Sequence, residues 1–261
     1  MAIPRLYLPM IEPEDVVRHL GKQEKHWKAG RSAHALTNLW HSSNGLPKSV
    51  LAVFRKNSIF KSAILIDAFL ERQVDLKTPG RNSQTDLLAV VGLQDRIAIM
   101  AVEGKAGEPF GEFVSRWLGA GEDNKKKRLV GLCKTLGILP SEAGPIRYQL
   151  LHRTASAIYE AQRYKTDLAI MLVQSFASDE KSFSDYRDFL KLMGVTDKIY
   201  PDELYGPIVC ENVSLYLSWI HEETCAIKNE KTGLKDLRTY AERLGVWCAR
   251  VQDWCKRRAA E

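Results

Sequence analysis

Asp86 and the triplet Glu103-Gly104-Lys105 supply two carboxylates and an ammonium, the groups needed for cation-assisted hydrolysis. Their value depends on whether they meet. Side chains alternate along a strand, so Glu103 and Lys105 share a face with Ile97, Ile99 and Ala101. The runs "DLLAVVGL" (86–93) and "RIAIMAVEGK" (96–105) are separated only by Gln94 and Asp95, which predicts an antiparallel hairpin. If Leu93 opposes Arg96, opposed residues have numbers summing to 189, and Asp86 faces Glu103. Such cross-strand partners have Cβ atoms about 4.5–5.5 Å apart. A slip of one residue would turn Asp86 to the other face.

Carboxylates that close repel unless a positive charge sits between them. A hard divalent cation suits such a pair: Mg²⁺, with Mn²⁺ as a substitute, prefers oxygen ligands and keeps several waters. It would polarise a phosphoryl oxygen and acidify a water. Lys105 would position that water or neutralise charge in the transition state. The competing reading is a structural salt bridge at the end of the sheet. Other (D/E)xK triplets, at Asp75–Lys77, Asp123–Lys125 and Asp179–Lys181, read as surface pairs. Glu103-Gly104-Lys105 differs because it ends an apolar strand that faces another strand beginning with Asp.

The surrounding chain must build that hairpin into a sheet. Residues 12–56 read as short helices with a break at Gly45–Pro47. A helix is expected over Ser58–Gln73, where Ile59, Ala63, Ile66 and Leu70 share one face, followed by a short strand in "QVDLK". Thr78–Gln84 reads as a loop. After the hairpin, "KKKRLVGLCKTLGI" reads as a helix despite Gly131, and an amphipathic helix is expected from about Pro145 to Tyr164. Asp167–Phe176 is a continuous apolar run of the kind covered on both faces of a sheet. A helix in "SFSDYRDFLKLMG", a strand in "NVSLYLSWI" and a C-terminal helix ending near "RVQDWCKRR" complete the chain. The sum is an α/β arrangement with a mixed central sheet flanked by helices. It divides into a basic helical segment (1–57), a core (58–178) and a helical extension with one added strand (179–261), all in one compact unit.

The 261 residues are 45% hydrophobic and 27% charged, an ordinary globular composition. No apolar run reaches the roughly 18–20 residues of a membrane span, and the opening residues show no signal-peptide pattern. The five cysteines form no CxxC pair and read as free thiols, so a cytoplasmic location and no membrane partner are expected. The net charge of +6 is uneven: +5 in residues 1–80, +2 in 81–150 and −1 in 151–261. The basic first third and the run Lys125, Lys126, Lys127 and Arg128 would suit phosphates, although a solvated surface looks the same. "EGKA" has Ile99 in place of the first glycine of a phosphate-binding loop and no Ser or Thr after Lys105, and "GLCKT" has Arg128 and Cys133 in place of both glycines. The six tryptophans, Trp27, Trp40, Trp117, Trp219, Trp247 and Trp254, read mainly as packing.

The order helix, three strands, helix, strand, with Asp86 and Glu103-Gly104-Lys105 at two strand ends, resembles the PD-(D/E)XK nuclease superfamily of restriction-endonuclease-like folds. The resemblance spans roughly Ser58–Phe176. Thr85 stands where that superfamily often has proline. The stretches "SQTDLLAV", "AVEGKAGEPFGE" and "RYQLLHRTASAIYEAQRY" are similar to a bacterial family within it whose substrate is not established. The resemblance implies a restriction-endonuclease-like αβββαβ core and a Mg²⁺-dependent endonuclease acting on nucleic acid, with DNA the expected substrate. Double-strand cutting would favour a homodimer. Asp86 and Glu103 would hold the metal and Lys105 would assist hydrolysis. On the long helix, Gln149, His152, Arg153, Ser156 and Glu160 form a polar stripe. Of these, Gln149 would join catalysis and Arg153 would reach a phosphate, with Gln84 and the 125–128 run touching substrate; His152 reads as an outer or surface residue. An acid from the first helix, Glu71 or alternatively Asp67, would complete the metal set. Glu108 and Glu112 are either outer carboxylates or favourable charges at a helix start. A non-catalytic binding or assembly protein on the same scaffold is the alternative.

Overall fold

The computed structural model describes residues 11–20, 27–120 and 122–222. All of them belong to one compact unit, Met1–Glu223. A 3₁₀ segment, Pro13–His19, precedes two helices, α1 (Ser32–Ser43) and α2 (Lys48–Phe54). Asn44 ends α1 in the left-handed conformation and Pro47 caps α2, so the expected break at Gly45–Pro47 is present. Three strands follow: β1 (Ile64–Val74), β2 (Ser83–Gly92) and β3 (Ile97–Lys105). Next come α3 (Val114–Leu118), α4 (Asp123–Leu136), α5 (Tyr148–Arg163), β4 (Leu168–Ser175) and α6 (Glu180–Leu192). The last described strands are β5 (Leu204–Cys210) and β6 (Val213–His221).

The six strands form one mixed sheet in the order β1-β2-β3-β4-β6-β5. β1, β2 and β3 run antiparallel, whereas β4 lies parallel to both β3 and β6. Every residue of β4 is buried, as its unbroken apolar run requires. On one face, Ile99, Ala101 and Val173 pack in a core with Leu150, Leu151, Ala155 and Ile158 of α5. On the other, Leu87, Met100, Val102 and Leu172 pack with Leu36, Val50 and Phe54 of α1 and α2. The N-terminal helices therefore cover one face of the sheet.

The hairpin has the expected register: Leu87 opposes Val102, Leu88 opposes Ala101 and Gly92 opposes Ile97, pairs whose numbers sum to 189. Leu93 N–H closes the turn on the Arg96 carbonyl at 2.8 Å.

The expected helix over Ser58–Gln73 is not there; most of that segment is the strand β1. Ile59, Ala63, Ile66 and Leu70 have helical spacing by coincidence. β1 is an edge strand with a register shift between Leu65 and Asp67, and Ile64 and Ile66 are left 64% and 49% exposed. Partial burial together with a bulge erases the two-residue alternation that identifies a strand. The helix ahead of the three strands is supplied instead by α1 and α2. The short strand expected in "QVDLK" is only the end of β1 at Val74. The C-terminal region adds two strands to the sheet, not one, with β5 unanticipated. The expected C-terminal helix, Cys225, Cys248, Cys255, Trp247 and Trp254 lie outside the described residues.

Candidate active site

Three neighbouring strands each bring one acid to the same end of the sheet. β1 pairs with β2 so that Leu70 opposes Leu87 and Arg72 opposes Thr85. Carried one step, that register sets Glu71 beside Asp86, and the hairpin register sets Asp86 beside Glu103. Glu71 has φ 53°, a left-handed conformation rare for a residue with a long side chain. Gly104 lies on the opposite face, where a Cβ would sit 3.4 Å from the Ser32 side chain. The first turn of α1 thus packs directly under the strand end.

A cavity of about 700 Å³ opens over these groups. Glu71, Gln84, Asp86, Glu103, Lys105, Gln149 and Arg153 all line it, so most of the expected site residues converge. His152, Glu108 and Glu112 also face it. Glu103 is the hub. Its Oε1 accepts from Lys105 Nζ at 2.7 Å and from Gln149 Nε2 at 2.6 Å, while Oε2 accepts from Arg153 Nε. Lys105 Nζ also donates to Gln149 Oε1 at 3.1 Å and lies 4.8 Å from the centre of the Phe110 ring. Asp86 Oδ2 accepts from Gly104 N–H at 3.0 Å, and Oδ1 receives a long contact of 3.4 Å from Arg153 Nη2. Gln84 Nε2 donates to Glu71 Oε2 at 2.6 Å.

The three acids do not share one protonation state. Burial alone would raise Glu103, but the adjacent Arg153 and Lys105 outweigh it and hold the carboxyl down at about 2. Asp86 is pushed up to about 7 by burial and by the Glu103 charge. Glu71 rises to about 8 through burial and repulsion from Asp86. Burial, reinforced by Arg153, holds His152 well below its usual range, so its ring is neutral. Arg153 Nη1 donates to Ser83 Oγ at 3.0 Å, and that hydroxyl lies 2.9 Å from His152 Nδ1. The Ser83 hydroxyl thus stands between Arg153 and the neutral His152 ring.

Among the described residues, no three of His, Cys, Asp and Glu stand close enough to form a ready ligand cage. The donor set still suits a hard cation that retains its own waters. Glu71, Asp86 and Glu103 offer only oxygen, and Lys105 and Arg153 leave one negative charge unmatched. The Asp86 and Glu71 carboxyls are raised first by burial and then by repulsion from a neighbouring acid, a cost that a bound cation would relieve. Asp86 and Glu71 are the better-placed ligands, because both Glu103 oxygens already accept from cations.

Several expectations need correction. Glu71 comes from a strand, not a helix; Asp67 is exposed on β1 and does not line the cavity. Of the 125–128 run, none lines the cavity. Lys126 and Lys127 are exposed on α4, a helix whose outer face is solvated. Arg128 is buried, and donates to Tyr148 Oη at 2.5 Å and to the Pro79 carbonyl at 3.1 Å. Arg153 lines the cavity and also donates to Glu103, Ser83 and Asp86, contacts that the sequence did not suggest. The supposed polar stripe is largely buried at Arg153, Ser156 and Glu160, where Arg72 and Arg163 meet Glu160. Glu108 accepts from the Ala106 N–H at 3.0 Å and so fixes the turn after β3. Ser83, Phe110, Tyr148 and Trp117 were not foreseen as site residues. A strand reading of residues 64–74 would have revealed Glu71 by register alone.

A family model described as "Domain of unknown function (DUF6946)" matches residues 9–224. No curated protein and no solved structure matches the chain.

Proposed function

We propose that this chain, which belongs to the DUF6946 family, is a metal-dependent nuclease of the PD-(D/E)XK type that hydrolyses phosphodiester bonds, with DNA as its substrate. The observation that carries the reading is the convergence of Glu71, Asp86, Glu103 and Lys105 from three adjacent strands, with Gln149 from α5, on one cavity. The cavity lining holds five carboxylates, Glu71, Asp86, Glu103, Glu108 and Glu112, against three cations, Arg31, Lys105 and Arg153. A polyanion would be repelled from so acidic a lining unless a multivalent cation came with it.

Asp86 and Glu71 would hold Mg²⁺, with Glu103 beside them already engaged by Lys105 and Arg153. When bound, the ion supplies Lewis acidity toward a phosphoryl oxygen and lowers the pKa of water. Lys105 is held by Glu103, Gln149 and the Phe110 ring with its charge fixed beside the acids, so it meets the negative charge that builds on the phosphoryl group without reorganising. Gln149 bridges Lys105 and Glu103 and keeps the ammonium from rotating away. Arg153 locks Glu103 through Oε2 and reaches His152 by way of the Ser83 hydroxyl. Water adds its oxygen to phosphorus, one ester oxygen leaves, and the displaced strand end takes a proton.

A second reading has one specific observation in its favour. The Arg153 guanidinium already spans Glu103 and Asp86, the two acids expected to share a metal. A protein that neutralises its acids internally would bind or assemble without cutting. The deciding assay incubates circular DNA, single-stranded or supercoiled, with Mg²⁺ or Mn²⁺. Cut circles that disappear in EDTA are the expected result. DNA that is bound but intact under every condition would leave the binding reading in place.

A further inference from the structure

One wall of the cavity is aromatic and plays no part in the charge chemistry opposite it. Trp117 of α3 and Tyr148 at the start of α5 stack face to face, with ring centroids 3.9 Å apart and planes 7° apart. His152, one turn along α5, continues the wall at 4.9 Å from Tyr148. All three line the cavity. Other aromatic pairs among the described residues are edge-on, as Phe60 with Tyr216 at 84°, or tilted, and the stacked pair Phe183–Tyr186 is more loosely spaced, with centroids 6.4 Å apart.

Two of the three rings are tethered by hydrogen bonds. Tyr148 Oη accepts from Arg128, and Arg128 is anchored on the Pro79 carbonyl. His152 is tied to Ser83 and kept uncharged. Trp117 and Tyr148 remain half-buried, although their apolar area would favour full burial in a core. Lys125 Nζ stands 5.9 Å above the Trp117 ring, on a side chain long enough to swing aside or follow a phosphate. A stacked pair of rings with a lysine beside it, lining a cavity of about 700 Å³, matches the way nucleobases are held by stacking beside their backbone charge.

We propose that Trp117 and Tyr148 form a stacking platform for an unpaired nucleobase next to the phosphate that is cleaved. The substrate is then single-stranded or frayed nucleic acid, because a base inside a continuous duplex has both faces occupied by its neighbours. This deepens the nuclease reading and rests on it for the word "cleaved", but the platform itself is testable by binding alone.

The test measures fluorescence anisotropy of a dye-labelled, phosphorothioate-linked deoxyoligonucleotide in Mg²⁺, the linkage slowing hydrolysis. Wild type is expected to bind the single strand more tightly than a blunt duplex of the same sequence. Trp117→Leu, which keeps apolar bulk without a ring plane, is expected to weaken single-strand binding about tenfold, with Trp117→Phe recovering part of it. An oligonucleotide with abasic sites should bind weakly to both wild type and Trp117→Leu. Equal losses on base-bearing and abasic strands, or a duplex bound as tightly as the single strand, would overturn the platform. If Trp117→Leu failed to fold, the wild-type comparison of base-bearing, abasic and duplex probes would still decide. Ring-dependent binding without cleavage of any DNA would sink the nuclease reading alone. Cleavage indifferent to Trp117 would sink the platform alone.

Discussion

Lys105→Met is expected to slow metal-dependent DNA cleavage by about 10²–10³-fold, the usual loss when one fixed donor is removed from a developing oxyanion. Methionine retains the unbranched stem against Phe110 and removes only the ammonium. Glu103 would keep Arg153 and Gln149 as partners, so the fold should lose little. Glu103→Ala should be at least as damaging to cleavage but less clean. It would strand Lys105 and Arg153, both nearly buried, without their shared counter-charge, at about 3–5 kcal/mol. Initial rates of circle cutting, alongside melting curves for each variant, separate the two effects. A Lys105→Met protein that cuts within threefold of wild type would remove Lys105 from the mechanism.

Asp86→Asn should stabilise the protein at pH 8 in the absence of divalent ions. The sign follows from its carboxyl being raised to about 7 in the folded chain from an ordinary value of 3.8. A raised acid binds its proton more tightly when folded, so its contribution is intact below about pH 4, fades as pH climbs, and is fully lost above about 7. The Asp86 side chain keeps 21% of its surface exposed, which tempers the penalty to about 2 kcal/mol. For a domain of this size that is roughly 4–8 °C in melting temperature. The two proteins should melt together near pH 4 and diverge up to pH 7. Millimolar Mg²⁺ or Mn²⁺ at pH 8 should raise wild type and leave Asp86→Asn nearly unmoved, because a ligand stabilises only the form that binds it. Melting curves across pH, with and without the ion, are the measurement; an asparagine variant less stable at pH 8 without metal would contradict the charge balance described above.

Much of the site was legible because it depends on counting. Two residues between two apolar runs fix the hairpin, and the hairpin fixes Asp86 against Glu103. β4 and α5 were equally readable, one from an unbroken apolar run and the other from its strong amphipathic period. What stayed hidden was decided by tertiary context. β1 carries helical spacing by accident, and as a half-wet edge strand it lacks the alternation that would have corrected the reading. β5, "LYGPIVC", contains Pro207, which speaks against a strand unless the strand lies at an edge, where it does lie. Arg128 was read as one charge in a surface run, yet its position on α4 turns it inward to Tyr148. That Arg153 donates to both Glu103 and Asp86 is a tertiary fact no local pattern carries. Trp117 packs against the core, as its setting suggests, and also lines the cavity, which no local pattern reveals.

The Gln94–Asp95 turn lies at the opposite end of the hairpin from the acids, about eight strand residues or roughly 27 Å from Asp86. Both faces of β2 and β3 are apolar and covered along most of their length, so polarity alone distinguishes little between neighbouring registers away from the acids. The short connection is therefore the ruler that keeps the carboxylates aligned. A single amino acid inserted there, remote from every charged group in the pocket, is expected to disturb the pairing of Asp86 with Glu103 as much as a substitution at either acid.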